Sequence, residues 1–175
     1  MKKKNNGKIF WITGLSGSGK SSIGEKLRIL LEKKYGKTII IHGDNIRDIY
    51  QFNTYSKYKR LKIGKANSDL CKLLSKQGLN VIFTTISLFN KLFEYNRINL
   101  RDYVEIYIKT DINKLKKRKK RIFYRVKMKN VWGLDLNPEY PKKPDIIFEN
   151  KFVLSISKSA DILYKKIVEI NKIRH

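Results

Sequence analysis

Residues 14–21 read GLSGSGKS and match the phosphate-binding pattern G-x-x-x-x-G-K-[ST] at every fixed position. Glycines let such a loop turn its backbone N–H groups toward a phosphate, at the positive end of the helix that follows. We expect Lys20 to reach the β- and γ-phosphates and the Ser21 hydroxyl to hold Mg²⁺. The segment therefore predicts binding of ATP with Mg²⁺. The predicted nucleotide-binding residues are Gly14, Leu15, Ser16, Gly17, Ser18, Gly19, Lys20, Ser21 and Ser22.

The loop identifies a nucleoside triphosphate but not the reaction, because ATPases, GTPases and small-molecule kinases share it. The GTPase base-recognition motif NKxD is absent from the sequence. The chain has 175 residues, a length typical of kinases that phosphorylate small metabolites. We therefore predict transfer of the terminal phosphoryl group to a small acceptor.

Four separated segments resemble the adenylylsulfate (APS) kinases, and the resemblance extends from about residue 8 to residue 150. It implies an ATP-dependent enzyme that phosphorylates the 3′-hydroxyl of adenosine 5′-phosphosulfate in sulfate activation. Family members are often dimers, so it also implies a homodimer. The segments are FWITGLSGSGKS (10–21), HGDNIR (42–47), Ile86-Ser87-Leu88 with Arg97 after it, and KNVWGLDLNPEYP (129–141).

The resemblance assigns roles on both sides of the transferred phosphoryl group. Asp44 would accept the proton of the acceptor hydroxyl or orient Mg²⁺ through water, although it could instead cap a turn. Ser87 matches a family serine described as a phosphoserine intermediate, and a hydrogen bond to the acceptor or to Mg²⁺ is the alternative. The predicted catalytic residues are Lys20, Asp44 and Ser87, and the predicted acceptor-binding residues are Asp44, Arg47, Tyr55, Arg60, Arg97 and Trp132.

A basic run, KLKKRKKR at residues 114–121, leads into RIFYRVKMKN (121–130), which resembles a shortened form of the family's lid over the phosphates. Such lids supply cations that neutralise charge in the transition state. We assign Arg121 to ATP, with Arg118 and Arg125 as the other candidates. Each of the three could equally be a solvated helix charge.

The departures from the family pattern lie on the acceptor side. They are His42 for an aspartate, Ile63 for an asparagine, Lys65 for an arginine, Leu88 for a proline and Val131 for an aromatic residue. Stacking of the acceptor base on Tyr55 and Trp132 would compensate. Two hypotheses follow: a divergent APS kinase, or a related enzyme for another nucleotide conjugate, such as cytidine diphosphoramidate in capsule modification.

The formal net charge is +25, from 40 Lys and Arg against 15 Asp and Glu. Such a charge attracts polyanions, so a nucleic-acid-binding NTPase or a polynucleotide kinase is a third alternative. The basic residues are spread along the chain, however, which favours a small nucleotide acceptor. There is a single cysteine, no signal-peptide pattern, and no apolar run near the roughly 18 residues that cross a bilayer. We therefore predict a cytoplasmic protein without membrane association.

Alternating strand and helix patterns must position these residues. They predict a three-layer α/β/α P-loop NTPase fold with a mostly parallel sheet, as one domain over residues 1–175. The expected strands are 8–13, 38–42, 80–86, 103–108 and 145–148. The expected helices are 20–35, 64–77, one with Asp111 as its N-cap, and 159–173, and a GDN turn follows residue 42.

Overall fold

The computed structural model describes residues 6–51, 56–118, 131–134 and 136–173. In these ranges no helix is long and apolar enough to cross a membrane. The strands are β1 (Ile9–Thr13), β2 (Thr38–His42), β3 (Asn80–Thr85), β4 (Tyr103–Lys109) and β5 (Ile146–Glu149). The helices are α1 (Lys20–Tyr35), α2 (Gly43–Ile49), α3 (Lys57–Lys76), α4 (Asn90–Asn99), α5 (Ile112–Arg118) and α6 (Ile156–Ile173).

The described strands form one parallel sheet in the order β2-β3-β1-β4-β5. β1 is central, with Ile9 opposite Val81 of β3 and Tyr103 of β4. In a parallel sheet all strands end at the same edge, which is where open α/β folds bind ligands. The segments that follow β1, β2 and β3 therefore meet at one edge.

Helices cover both faces of the sheet. Consecutive β1 side chains point to opposite faces, and both sets are packed against helices. Ile9 and Trp11 pack with the α3 and α4 side, and Phe10 and Ile12 pack with α1 and α6. All four are buried, so the strand reads as a continuous apolar run, as expected for a strand buried on both faces. The predicted three-layer α/β/α architecture is confirmed.

Two predicted boundaries were wrong. The GDN segment is the first turn of α2 and not a free turn. α3 begins at Lys57, after the N-cap Ser56, whose hydroxyl accepts a hydrogen bond from the Lys59 N–H at 3.4 Å. Its first residues are exposed, and its buried positions include Asn67 and Ser68, so apolar periodicity gave no signal there.

Two predicted helix ends are confirmed. Gly36 ends α1 with φ +85°, and its N–H donates to Glu32 O. Asp111 lies just before α5, and its Oδ1 accepts the Asn113 N–H at 2.7 Å. Both helix ends could be predicted from local sequence. A glycine adopts a positive φ without steric cost, and an aspartate side chain accepts a hydrogen bond from a free N–H group at a helix start.

Candidate active site

The phosphate-binding loop joins the end of β1 to the start of α1. Gly14, Gly17 and Gly19 have φ values of +150°, +79° and +96°. Gly14 also has no room for a side chain, because a Cβ there would lie 2.5 Å from Ile108 O. The loop thus needs glycine both for its backbone angles and for close packing against β4.

Lys20 is buried at the start of α1, with 7% of its surface exposed. Its Nζ donates to Leu15 O at 2.7 Å and lies 3.5 Å from Ser18 Oγ. The ammonium group therefore lies against the loop expected to surround the phosphates. When a phosphate is bound in the loop, the Lys20 ammonium could donate to a phosphate oxygen instead. That hydrogen bond is charge-assisted and therefore stronger.

Asn150, the residue after β5, holds this loop in place. Its Nδ2 donates to Ser18 O at 2.9 Å, and its Oδ1 accepts the Phe152 N–H at 2.9 Å. Its own N–H donates to Lys109 O at 2.9 Å. The sequence analysis missed Asn150, and its place just after the last predicted strand is the only signal that could have suggested it.

A cleft of about 370 Å³ opens at the carboxyl edge of the sheet. It brings together the phosphate-binding loop, Asp44 at the start of α2, and the end of β3. The predicted residues that line it are Ser16, Gly17, Gly19, Lys20, Ser21, Ser22, Asp44 and Arg118.

The cleft residues suit Mg²⁺ that is bound together with phosphates. Ser21 offers a hydroxyl oxygen and Asp44 a carboxylate in the same cleft, and oxygen ligands are those that Mg²⁺ prefers. The described residues contain no group of three or more His, Cys, Asp or Glu that could hold a metal alone. In nucleotide-dependent kinases, substrate phosphates and water generally complete the coordination of Mg²⁺.

His42 stands where the resemblance expects an aspartate, and its ring links three elements. Nδ1 lies 2.7 Å from Thr84 Oγ1 on β3, and Nε2 lies 2.9 Å from Glu25 Oε1 on α1. A carboxylate only accepts hydrogen bonds, so Nε2 carries a proton, and in the neutral ring Nδ1 accepts from the Thr84 hydroxyl. These contacts hold His42 at the end of β2, directly before the first turn of α2, which contains Asp44.

An aromatic ring and a guanidinium group also line the cleft. Arg118 lies 4.0 Å above the ring of Phe152, and both residues line the cleft. Of the three candidate lid arginines, Arg118 is therefore at the cleft, while Arg121 and Arg125 lie outside the described residues. The sequence analysis missed Phe152, because an isolated aromatic residue after a strand has no distinguishing pattern.

The structure does not test three other predicted site residues, namely Arg47 and Tyr55 for acceptor binding and Ser87 for catalysis. Arg47 is exposed on α2 and is not among the residues that line the cleft. Ser87 Oγ lies 2.8 Å from Oγ1 of Thr85, which lines the cleft. Tyr55 lies outside the described residues. All three roles stay predictions.

Trp132 is buried, with 6% of its surface exposed. Its ring meets Phe89 edge-on at 5.1 Å, and the Arg60 guanidinium lies 5.9 Å from its centre. These contacts give Trp132 a packing role and place Arg60 on top of it. Base stacking on Trp132 stays a prediction that this geometry does not favour, because little of its surface is open.

Arg97 forms an ion pair with a buried carboxylate. Its Nη2 lies 2.7 Å from Oε1 of Glu105, whose side chain is 1% exposed. Burial raises the pKa of Glu105 to about 7, although Arg97 opposes that rise. Glu105 lies opposite Trp11, away from the last residue of β1. The structure thus gives Arg97 a structural partner, and its acceptor role stays a prediction.

We expect Arg97→Leu to lower the free energy of unfolding by about 2 kcal/mol near pH 8, because a buried carboxylate loses its charged partner. Below the raised pKa of Glu105 the carboxyl group is protonated, so the loss should be smaller at about pH 5.5. Urea denaturation at the two pH values measures this, with the exposed Arg101→Leu as the control. Unchanged stability with a raised KM for the acceptor would instead support an acceptor role.

Comparisons with known proteins identify the family of the chain. A family model described as adenylylsulphate kinase matches residues 6–149. The cytidine diphosphoramidate kinase of Campylobacter jejuni is 35% identical over 94% of this chain and 98% of its own length. An adenylyl-sulfate kinase of Pseudomonas aeruginosa is 28% identical over 95% of this chain and 86% of its own. The structure of the Mycobacterium tuberculosis APS kinase in complex with AMPPNP and APS matches with a TM-score of 0.83 and 24% identity, over 93% and 98% of the two chains.

Proposed function

Since this chain belongs to the adenylylsulphate kinase family and is a phosphotransferase, we propose that it phosphorylates a sugar hydroxyl of a nucleotide conjugate with ATP. One observation carries the proposal: the phosphate-binding loop and the carboxylate of Asp44 line the same cleft. A group that binds the donor phosphates and a group that accepts a proton are the two parts that such a transfer needs.

In this proposal each side chain has one task. The loop N–H groups and Lys20 hold the β- and γ-phosphates, and the Ser21 hydroxyl holds Mg²⁺, which neutralises phosphate charge. Asp44 accepts the proton of the acceptor hydroxyl as the hydroxyl oxygen bonds to the γ-phosphorus of ATP. The bond from that phosphorus to the bridging oxygen of the β-phosphate breaks, and ADP leaves. Asn150 keeps the loop in position through Ser18 O.

The adenine of ATP belongs at the Phe152 end of the cleft. Phe152, Leu154 and Ile156 give this wall an apolar surface, and aromatic faces accept a stacked base. The Arg118 guanidinium lies 4.0 Å from the centre of the Phe152 ring, which is about the contact distance of two stacked planar groups. The base therefore either stacks outside Arg118 or takes its place against Phe152.

For the acceptor we favour a cytidine diphosphoramidate-like conjugate. The relative of that name matches with 35% identity over 98% of its length, and the family positions of the acceptor side are altered here. One of these altered positions is Lys65, where the family pattern has an arginine. The Lys65 Nζ lies 4.9 Å from the centre of the Tyr95 ring. APS is the second candidate, favoured by the family model and by the Pseudomonas relative.

ADP release with ATP and Mg²⁺, measured against cytidine diphosphoramidate and APS in parallel, tests the proposal. We expect kcat/KM for cytidine diphosphoramidate to exceed that for APS by roughly 10- to 100-fold, since one altered base contact is worth about 1–3 kcal/mol. The opposite preference would make the protein a divergent APS kinase. Acceptor-independent ATP hydrolysis, with oligonucleotide binding that persists at physiological salt, would support the nucleic-acid alternative.

A further inference from the structure

We propose, on the basis of the proposed function, that a second pocket beside the cleft binds the acceptor base and that Glu139 selects a base with an exocyclic amino group. The pocket holds about 310 Å³. It lies between the first turn of α3, the start of α4 and the segment before β5. Its walls are Lys57, Tyr58, Leu61, Phe89, Lys91 and Glu139.

The pocket lies within one nucleoside's reach of the cleft. Ile86 lines the cleft and Phe89 lines the pocket. Three residues of extended chain span at most about 11 Å, so the Cα atoms of Ile86 and Phe89 are no farther apart than that. In the proposal, a nucleoside bridges this distance, with its sugar hydroxyl at the cleft and its base in the pocket.

The apolar walls suit a flat ring but do not distinguish one base from another. Phe89 is buried, Leu61 is half-buried, and Tyr58 is 76% exposed at the rim. Aromatic and apolar faces stack on any base. Discrimination between amino and oxo bases therefore depends on the carboxylate among these walls, which is that of Glu139.

Glu139 is held in a fixed orientation. Its Oε2 accepts the N–H of Asn90, the first residue of α4, at 2.9 Å, and its Oε1 accepts from the Lys57 ammonium group. Its own N–H donates to Leu88 O at 3.2 Å. The Lys57 hydrogen bond lowers the pKa of Glu139, with Lys91 contributing by its charge. The carboxylate is therefore ionised and well positioned at neutral pH.

An ionised carboxylate only accepts hydrogen bonds, and its two oxygens offer about four lone-pair sites. The Asn90 N–H and the Lys57 ammonium group leave room for another N–H. An exocyclic amino group of cytosine or adenine supplies that N–H, whereas the carbonyl of uracil or hypoxanthine would face the carboxylate with a second acceptor. The lysines at the rim, Lys57 and Lys91, suit an acceptor that carries phosphate.

The test compares matched amino and oxo acceptors at saturating MgATP. Wild-type enzyme should prefer cytidine diphosphoramidate to its uridine analogue, or APS to its inosine analogue, by about 10- to 100-fold in kcat/KM, as one charge-assisted hydrogen bond predicts. Glu139→Gln should reduce this ratio to about 1, because an amide both donates and accepts. The KM for ATP should not change.

The control is Glu94→Gln, an exposed position on α4 that is not part of the pocket. It should keep the wild-type ratio. The amide introduced by Glu139→Gln still offers an oxygen to the Asn90 N–H, and urea denaturation of both variants reports any loss of fold. An unchanged amino-over-oxo ratio in a folded Glu139→Gln protein would overturn the assignment.

A binding measurement separates this proposal from the proposed function. Calorimetric titration with CMP against UMP, and with AMP against IMP, needs no turnover. A preference for the amino base that Glu139→Gln abolishes supports the pocket even if no conjugate is phosphorylated. Equal binding of amino and oxo nucleotides to the wild type would overturn the pocket even if the kinase activity is present.

Discussion

Lys20→Ala should fold normally, and its kcat should be lower than that of the wild type by roughly 10³-fold. This is the upper end of the loss caused by removal of one preorganised hydrogen-bond donor. The expected loss is large because the Lys20 ammonium is positioned where the β- and γ-phosphates would lie and no other side chain of the loop carries a positive charge. Steady-state ADP release at saturating acceptor measures it. Lys20 donates to the neutral oxygens Leu15 O and Ser18 Oγ. The substitution should therefore lower the free energy of unfolding by only about 1 kcal/mol.

The matched control is Lys26→Ala, which removes an exposed lysine from the same helix. It changes net charge equally but is not part of the cleft, so turnover should stay at the wild-type value. Turnover of Lys20→Ala within about tenfold of the wild type, in a protein with normal urea denaturation, would refute the assignment of the phosphate-binding loop.

Asp44→Asn should lower kcat by roughly 10²- to 10⁴-fold, the range of general acid–base contributions. Asparagine has nearly the same shape, but its amide cannot take the proton of an attacking hydroxyl. Asp44 is exposed in the first turn of α2, so the change should leave stability almost unaltered. The kcat and the KM values for ATP and acceptor should be measured separately, because a proton acceptor affects kcat and not ATP binding.

Asp48→Asn serves as the control for this variant. Asp48 is also an exposed aspartate of α2, but it does not line the cleft, and its replacement should leave kcat unchanged. A higher KM for ATP that excess Mg²⁺ restores, with little change in kcat, would assign Asp44 to Mg²⁺ and not to the acceptor hydroxyl.

The amino-acid sequence was sufficient to predict the phosphate-binding loop and the layer architecture. The segment GLSGSGKS is contiguous, so its geometry depends on local backbone angles, and Gly14, Gly17 and Gly19 supply them. The strands were recognisable because residues such as Phe10 and Trp11 are buried on opposite faces of the sheet. Asp44 was predicted from the family resemblance, and it lines the cleft because the segment that follows β2 reaches the ligand-binding edge of the sheet.

Contacts between residues far apart in the chain could be seen only in the folded structure. Asn150 bonds to Ser18 across 132 positions, and Phe152 meets Arg118 only because the end of β5 lies beside the cleft. Arg97 on α4 pairs with Glu105, a buried carboxylate that no periodic pattern revealed. The physical reason is the same in each case: strand order and helix packing place these groups together, and neither follows from the local preferences of a segment.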